Sequence, residues 1–129
     1  MILVDTDVVS YLFKGHPVAK AFAARLEGNH LCISFVTLAE IEFGMRAAHW
    51  GSHRTHAMRS HLAKFQVIQS NREVCRIWAA VMSESTSKGR RMAQHDAWIA
   101  AAAIHLNASP ATNNLKDFRH LDRLKFLLP

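Results

Sequence analysis

Two carboxylates, Asp5 and Asp7, stand directly after the apolar run Ile2, Leu3 and Val4. Such a run reads as a buried strand, and acids at its end are costly to desolvate unless a cation or strong donors meet them. The pair therefore points to a metal or phosphate site, although an Asp after a strand also suits the N-cap of the next helix. Three more acids need an account. Glu40 lies in the pattern Thr37-x-x-Glu40 at the head of a helical run, which also fits a capping box. Asp96 falls in the first turns of an alanine-rich helical stretch, where the helix dipole favours a carboxylate. Asp117 follows the turn residues Asn113 and Asn114, whereas Glu42 faces away from Glu40 on its helix. His49 and His53 have the spacing of a metal-binding pair, but Gly51 interrupts the helix and no nearby acid or thiol completes a tetrahedral set. Their stretch, which also carries Arg46, Arg54 and Arg59, reads as a solvated basic face able to touch phosphates.

The elements that must position these groups are short and alternate in type. Apolar runs predict strands over residues 2–4, 31–35, 65–68 and 109–112, with a terminal strand over 126–128. Helical spacing covers 8–15, closed by Gly15 and Pro17, and then 18–26, 37–50, 71–82 and 92–106. The polar stretch 83–91 reads as a helix end and a loop, and Pro110 is poorly suited to a central strand. Alternation of this kind implies an α/β three-layer sandwich with a mainly parallel sheet of four to five strands. In such folds sites form beyond the carboxyl ends of the strands. Asp5, Glu40, Asp96 and the turn from Asn114 to Asp117 can all lie along that one edge.

At 129 residues the chain is expected to be one domain, residues 1–129, with a single core. No apolar run approaches the ~18 residues that span a bilayer, and no basic start or cleavage site marks a leader, so a cytoplasmic protein is expected. Cys32 and Cys75 both sit in apolar surroundings and read as buried free thiols. Sixteen basic residues against ten acidic ones give a net charge of +6, which favours a polyanionic partner, nucleic acid before membrane. A soluble domain that is merely basic satisfies the same balance.

The blocks VDTDVVSYL, SFVTLAEIEFG, HDAWIAAAA and ATNNLKDF, in this order and spacing, resemble the motif blocks of PIN-domain ribonucleases, in particular VapC-type toxins of toxin–antitoxin pairs. The resemblance spans nearly the whole chain. It implies a PIN-like fold, with Asp5, Glu40 and Asp96 as an acidic triad and Asp117 as a fourth acid. Thr112 is then a hydroxyl that orients a carboxylate, and Asp7 and Asn114 are auxiliaries. The departure is at residues 109–112 (SPAT), where the family usually has a more aliphatic strand, which bears on the placement of Asp117.

The implied activity is Mg²⁺- or Mn²⁺-dependent cleavage of RNA, and the residue types fit it: hard carboxylate oxygens hold such ions beside a phosphodiester. Lys14, Arg46, Arg54, Lys88, Arg90, Arg91 and Lys116 are candidates for a basic rim that binds RNA. The resemblance also implies a small cognate antitoxin and a homodimer, for which Tyr11, Phe13, Phe43, Trp50 and Trp98 offer apolar surface unless they are core. A receiver-like phosphoacceptor domain lacks its acceptor Asp after the third strand. A dehalogenase-type phosphatase lacks its hydroxyl, since Val9 stands two residues after the second acid. The alternative of another class is a non-catalytic RNA-binding or scaffold domain, for which divalent metal is irrelevant.

Overall fold

A computed structural model describes residues 1–128. In chain order the elements are β1 (Ile2–Val4), α1 (Thr6–Lys14), α2 (Pro17–Leu26), β2 (Leu31–Ser34), α3 (Phe35–Ala47), α4 (Ser52–Leu62), β3 (Gln66–Ile68), α5 (Arg72–Ser87), α6 (Gln94–Leu106) and β4 (Ser109–Ala111). All strand pairings are parallel, in the order β3-β2-β1-β4. Side chains alternate across a strand, and the core divides accordingly. Ile2, Val4 and Ile33 point into a cluster with Val8, Phe22, Ile41 and Met58 from helices α1 to α4. Leu3 and Cys32 point the other way, into a cluster with Val81 and the alanine face of α6. The three-layer α/β architecture with a four-strand parallel sheet follows from these two clusters.

The alanines explain how α6 fits. Ala97 and Ala100 to Ala103 are all buried, so these small side chains let the helix lie close to the sheet and to α5, with Ile99 buried among them. Its C-terminus ends at Asn107 in the left-handed conformation. Along β4, Pro110 is tolerated because the strand lies at the sheet edge, beyond β1, with only a single parallel bridge from Ala111 to Leu127 outside it. The expected terminal strand is therefore reduced to that bridge.

Three local expectations need correction. Helix α5 continues through Ser87, so residues 83–87 are helical: Val81 and Ser85 are both buried, which keeps the last turn packed. Helix α4 had no counterpart among the expected elements, because only Met58 and Leu62 of its eleven residues are buried and no apolar stripe marks it. Cys75 is exposed, on the outer face of α5, while Cys32 is buried, donates to the Ile2 carbonyl at 3.3 Å, and has its thiol pushed up to about 11 by burial.

Gly44 is the one glycine inside a helix whose presence the packing does not require. It sits in α3 without a positive φ, and a methyl group there would meet no atom within 4 Å. A glycine in that setting costs the helix ~1 kcal/mol relative to alanine.

Candidate active site

The order β3-β2-β1-β4 reverses the direction of winding between β1 and β4, and the crevice outside the carboxyl ends of such a strand pair is where open α/β sheets place ligands. Asp5 leaves β1 at that crevice, and Thr112 leaves β4 beside it. The two are joined directly: Thr112 Oγ1 donates to Asp5 Oδ2 at 2.7 Å and accepts from the Asn114 backbone N–H at 3.0 Å. Both residues are buried.

Asp5 fulfils two readings at once. It is the N-cap of α1, its Oδ1 accepting from the Thr6 N–H at 2.7 Å, and it stands at the floor of an acid-lined cavity. That cavity, of about 110 Å³, is lined by Asp5, Asp7, Glu40, Asp96 and Asp117 together with Thr6, His95 and Asn114. Five of the ten acidic residues of a basic chain thus share one small space. All four acids expected as catalytic or metal-binding are there, with Asp7 and Asn114 beside them.

Each acid reaches the cavity by a distinct local device. Asp7 lies in the first turn of α1 and accepts from Asn114 Nδ2, which ties the turn after β4 to this helix. Glu40 is not spent in a capping box, because α3 begins two residues before Thr37 and is capped by Ser34, whose Oγ accepts from the Val36 N–H at 3.2 Å. Thr37 is instead a buried residue of the first turn, one turn before Glu40. Freed in this way, the Glu40 carboxylate accepts from Thr6 Oγ1 at 3.1 Å. The Thr6 hydroxyl lies 3.0 Å from that of Thr37, which is the donor there, since Thr6 spends its proton on Glu40. Asp96 projects from the first turn of α6, with His95 Nε2 at 3.4 Å from its Oδ1. Asp117 closes the group from a short 3₁₀ turn, Leu115–Asp117.

Thr6 and His95 were not among the candidate residues. Position offered a signal for both: Thr6 sits between Asp5 and Asp7, and His95 immediately precedes Asp96. The segment bearing Asp117 is pinned from behind by α5 and its loop. Ser85 Oγ lies 2.7 Å from His120 Nε2, Lys88 Nζ donates to the His120 carbonyl at 2.5 Å, and Arg90 donates to the Lys116 carbonyl at 3.1 Å. Lys88 also pairs with Glu84 and Asp122, so its charge is engaged away from the acids. Arg54 lies over the Trp50 ring at 3.8 Å, and Arg91, Lys116 and Arg46 are exposed. His49 lies in the turn after α3 and His53 in the first turn of α4, with the N-cap Gly51 between them. Glu42 is engaged elsewhere by Arg59, through two hydrogen bonds of 3.1 and 2.7 Å.

The electrostatics of the cavity call for positive charge. Burial raises the Asp5 carboxyl above the ordinary range; Thr112 and the Thr6 N–H oppose this, and Asp7 and Glu40 add to it. Burial likewise pushes Asp96 up to about 6, with His95 opposing and Asp5, Asp117 and Glu40 reinforcing. These are the signs expected of carboxylates that repel one another in a partly desolvated space. The donors are hard oxygens throughout, which fits Mg²⁺ or Mn²⁺. Among the described residues no three acids form a closed ligand set.

The similarities to known proteins run the full length of this arrangement. Ribonuclease VapC1 of Haemophilus influenzae is 27% identical over 126 residues, covering 96% of this chain and 94% of that protein. A chain of VapBC2 from Rickettsia felis, whose crystal structure is of the complex bound to a DNA fragment from their promoter, has a TM-score of 0.86 at 25% identity, with 98% of each chain covered. FitAcB from Neisseria gonorrhoeae gives a TM-score of 0.82 at 26% identity, covering 98% of this chain and 97% of that one. The model of the PIN domain matches residues 2–124, from the first strand past the last acid of the cavity, and the chain belongs to the PIN domain family.

Proposed function

We propose that this protein is a divalent-metal-dependent endoribonuclease, a single PIN domain over residues 1–129, acting as the toxin of a toxin–antitoxin pair. The observation that carries the reading is the convergence of Asp5, Glu40, Asp96 and Asp117 on one cavity at the switch point of a parallel sheet, within a basic chain. The similarity to a VapC ribonuclease and to a chain of a toxin–antitoxin complex from Klebsiella pneumoniae supports both the reaction and a small antitoxin partner.

In this reading Asp5 and Asp96 would be the primary ligands of Mg²⁺ or Mn²⁺, Glu40 would be a ligand or position the attacking water, and Asp117 would be a second-metal or outer-shell ligand. When bound, the ion supplies neutralisation of the phosphoryl oxygens and a water of lowered pKa. Thr112 holds one Asp5 oxygen and the Thr6 N–H holds the other, so this carboxylate is fixed before substrate arrives. Thr6 does the same for Glu40. Such prior orientation removes reorganisation from the reaction step. His95 lines the same cavity beside Asp96, its Nε2 3.4 Å from Asp96 Oδ1.

The apolar surface expected for a homodimer is partly present: Phe43 is 72% exposed, whereas Tyr11, Phe13, Trp50 and Trp98 are half-buried. Trp98 is packed between Phe35 and Trp78. A homodimer would rest on Phe43 and the neighbouring face of α3. No described helix is long and apolar enough to cross a membrane.

The test is incubation of the purified protein with small structured RNAs, with EDTA or with Mn²⁺. Scission that needs the ion and disappears in Asp5→Asn is expected. Binding without ion-dependent scission would instead favour a non-catalytic RNA-binding domain.

A further inference from the structure

A second cavity, of about 200 Å³, opens directly from the acid site and shares Thr6 and Glu40 with it. It runs between α1, α3 and α4. Its floor is apolar, with Ile41, Met45 and Met58 buried, and Trp50 stands at one side. Lys14, the last residue of α1, lies on its wall, exposed and in no ion pair among the described residues. Gly44 also lines this groove, and its missing side chain is what leaves α3 bare along it. Among the described residues no atom crowds that position, and a helix interior disfavours glycine, so Gly44 leaves open space along the groove.

We propose that the groove is the subsite for a nucleotide next to the scissile phosphate, its base lying over Gly44 on the methionine floor and a neighbouring phosphate meeting Lys14. The inference rests on the acid cavity being the site of RNA cleavage and extends it to the binding of the flanking strand. Continuity supports this occupant: a strand whose phosphate sits among the acids must leave through an adjoining space, and this space shares two residues with them. Charge supports it too, because Glu40 is the groove's sole carboxylate among the described residues and belongs to the acid site, while Lys14 stands at the outer end. Scale agrees, since the eight positions from Thr6 to Lys14 span ~12 Å of helix, within reach of a single strand. An apolar floor with polarizable sulfur accepts the face of any base, which gives sequence-tolerant binding.

The test uses the full chain carrying Asp5→Asn, so that binding is read without cleavage, and a fluorescein-labelled single-stranded RNA of about ten nucleotides followed by anisotropy. Adding Gly44→Leu is expected to weaken binding about tenfold or more, and Gly44→Ala about threefold, by displacing a base from its platform. Thermal unfolding of Gly44→Ala is expected at a higher temperature than its parent, so that affinity falls while the fold gains. Ala47→Leu, on the same helix but outside the groove, leaves the Kd unchanged. Lys14→Gln weakens binding and lowers the slope of log K against log salt by about 0.7, the signature of one lost phosphate contact on a single strand. An unchanged Kd in folded Gly44→Ala and Gly44→Leu, or an equal loss in Ala47→Leu, overturns the proposal. So does loss of binding to an antitoxin alone with RNA affinity intact, which assigns the groove to a protein. This binding pattern in a protein whose wild-type chain cuts no RNA with Mn²⁺ sinks the nuclease reading and leaves the groove as an RNA-binding surface with no scissile phosphate beside it.

Discussion

Removing the charge of Asp96 is expected to stabilise the protein while abolishing its activity. Its carboxyl stands at about 6 instead of the ordinary 3.8, and its side chain is 17% exposed, so solvent screens it little. At about 1.4 kcal/mol for each tenfold change in proton affinity, the ionised form opposes folding by up to ~3 kcal/mol. Asn keeps the shape and its own desolvation cost and gives up the contact with His95, so a net gain of ~1–2 kcal/mol is expected for Asp96→Asn. With an unfolding entropy of ~2 cal/mol/K per residue, that gain raises the melting temperature by ~4–7 °C.

The direction with pH follows from proton binding. The folded chain holds the Asp96 proton more tightly than the unfolded chain between 3.8 and about 6, so wild-type stability from this group falls as pH rises through that window. The advantage of the variant is therefore full above about pH 7 and closes below about pH 4. Thermal unfolding by circular dichroism in EDTA, at both ends of this range, measures it. Millimolar Mn²⁺ should reverse the order, because an ion bound only by the folded wild type at about a hundred times its Kd adds ~2.7 kcal/mol. A variant that melts below wild type at pH 8 in EDTA, or a difference that ignores pH, refutes the reasoning.

Thr112→Val keeps the shape of a buried side chain but deletes its bond to Asp5, and kcat for RNA cleavage should fall by about tenfold or more with KM little changed; unaltered turnover would remove Thr112 from the positioning of Asp5. Ser85→Ala leaves His120 with neither ring nitrogen hydrogen-bonded, since its Nδ1 is already buried without a partner. A loss of ~1–3 kcal/mol in denaturant unfolding is expected, and none would mean that this contact is idle. Thiol titration of the native protein should label Cys75 rapidly and Cys32 only on unfolding, given the exposure of one and the burial of the other. Equal rates would contradict their placement.

The strand and helix alternation was readable because each strand is short, apolar and followed by a helical stripe, and Asp5 stood out through the cost of burying a carboxylate at a strand end. Asp5 was ambiguous between cap and site residue because it caps α1 and also lines the acid cavity. The capping-box reading of Glu40 failed for a local reason: Ser34 caps one turn earlier, so the residues in the pattern are already helical. Helix α4 was hidden by its composition, with three histidines and two arginines along eleven residues and only two buried side chains. The partnership of Thr6 with Glu40, 34 positions apart, depends on how α1 and α3 pack, which no local pattern encodes. The same holds for the tie between Ser85 and His120.

The bond from Thr112 to Asp5 spans 107 positions, and the pairing of β4 with β1 spans nearly the whole domain. On a ribosome, the first acid of the site emerges early but stays without its orienting hydroxyl until β4 has been made and has cleared the exit tunnel. Asp117 comes later still. A chain stalled or truncated before residue 112 therefore carries Asp5, Glu40 and Asp96 without the strand that aligns them. The acid site is therefore completed only after β4 and the turn that bears Asp117 have been made.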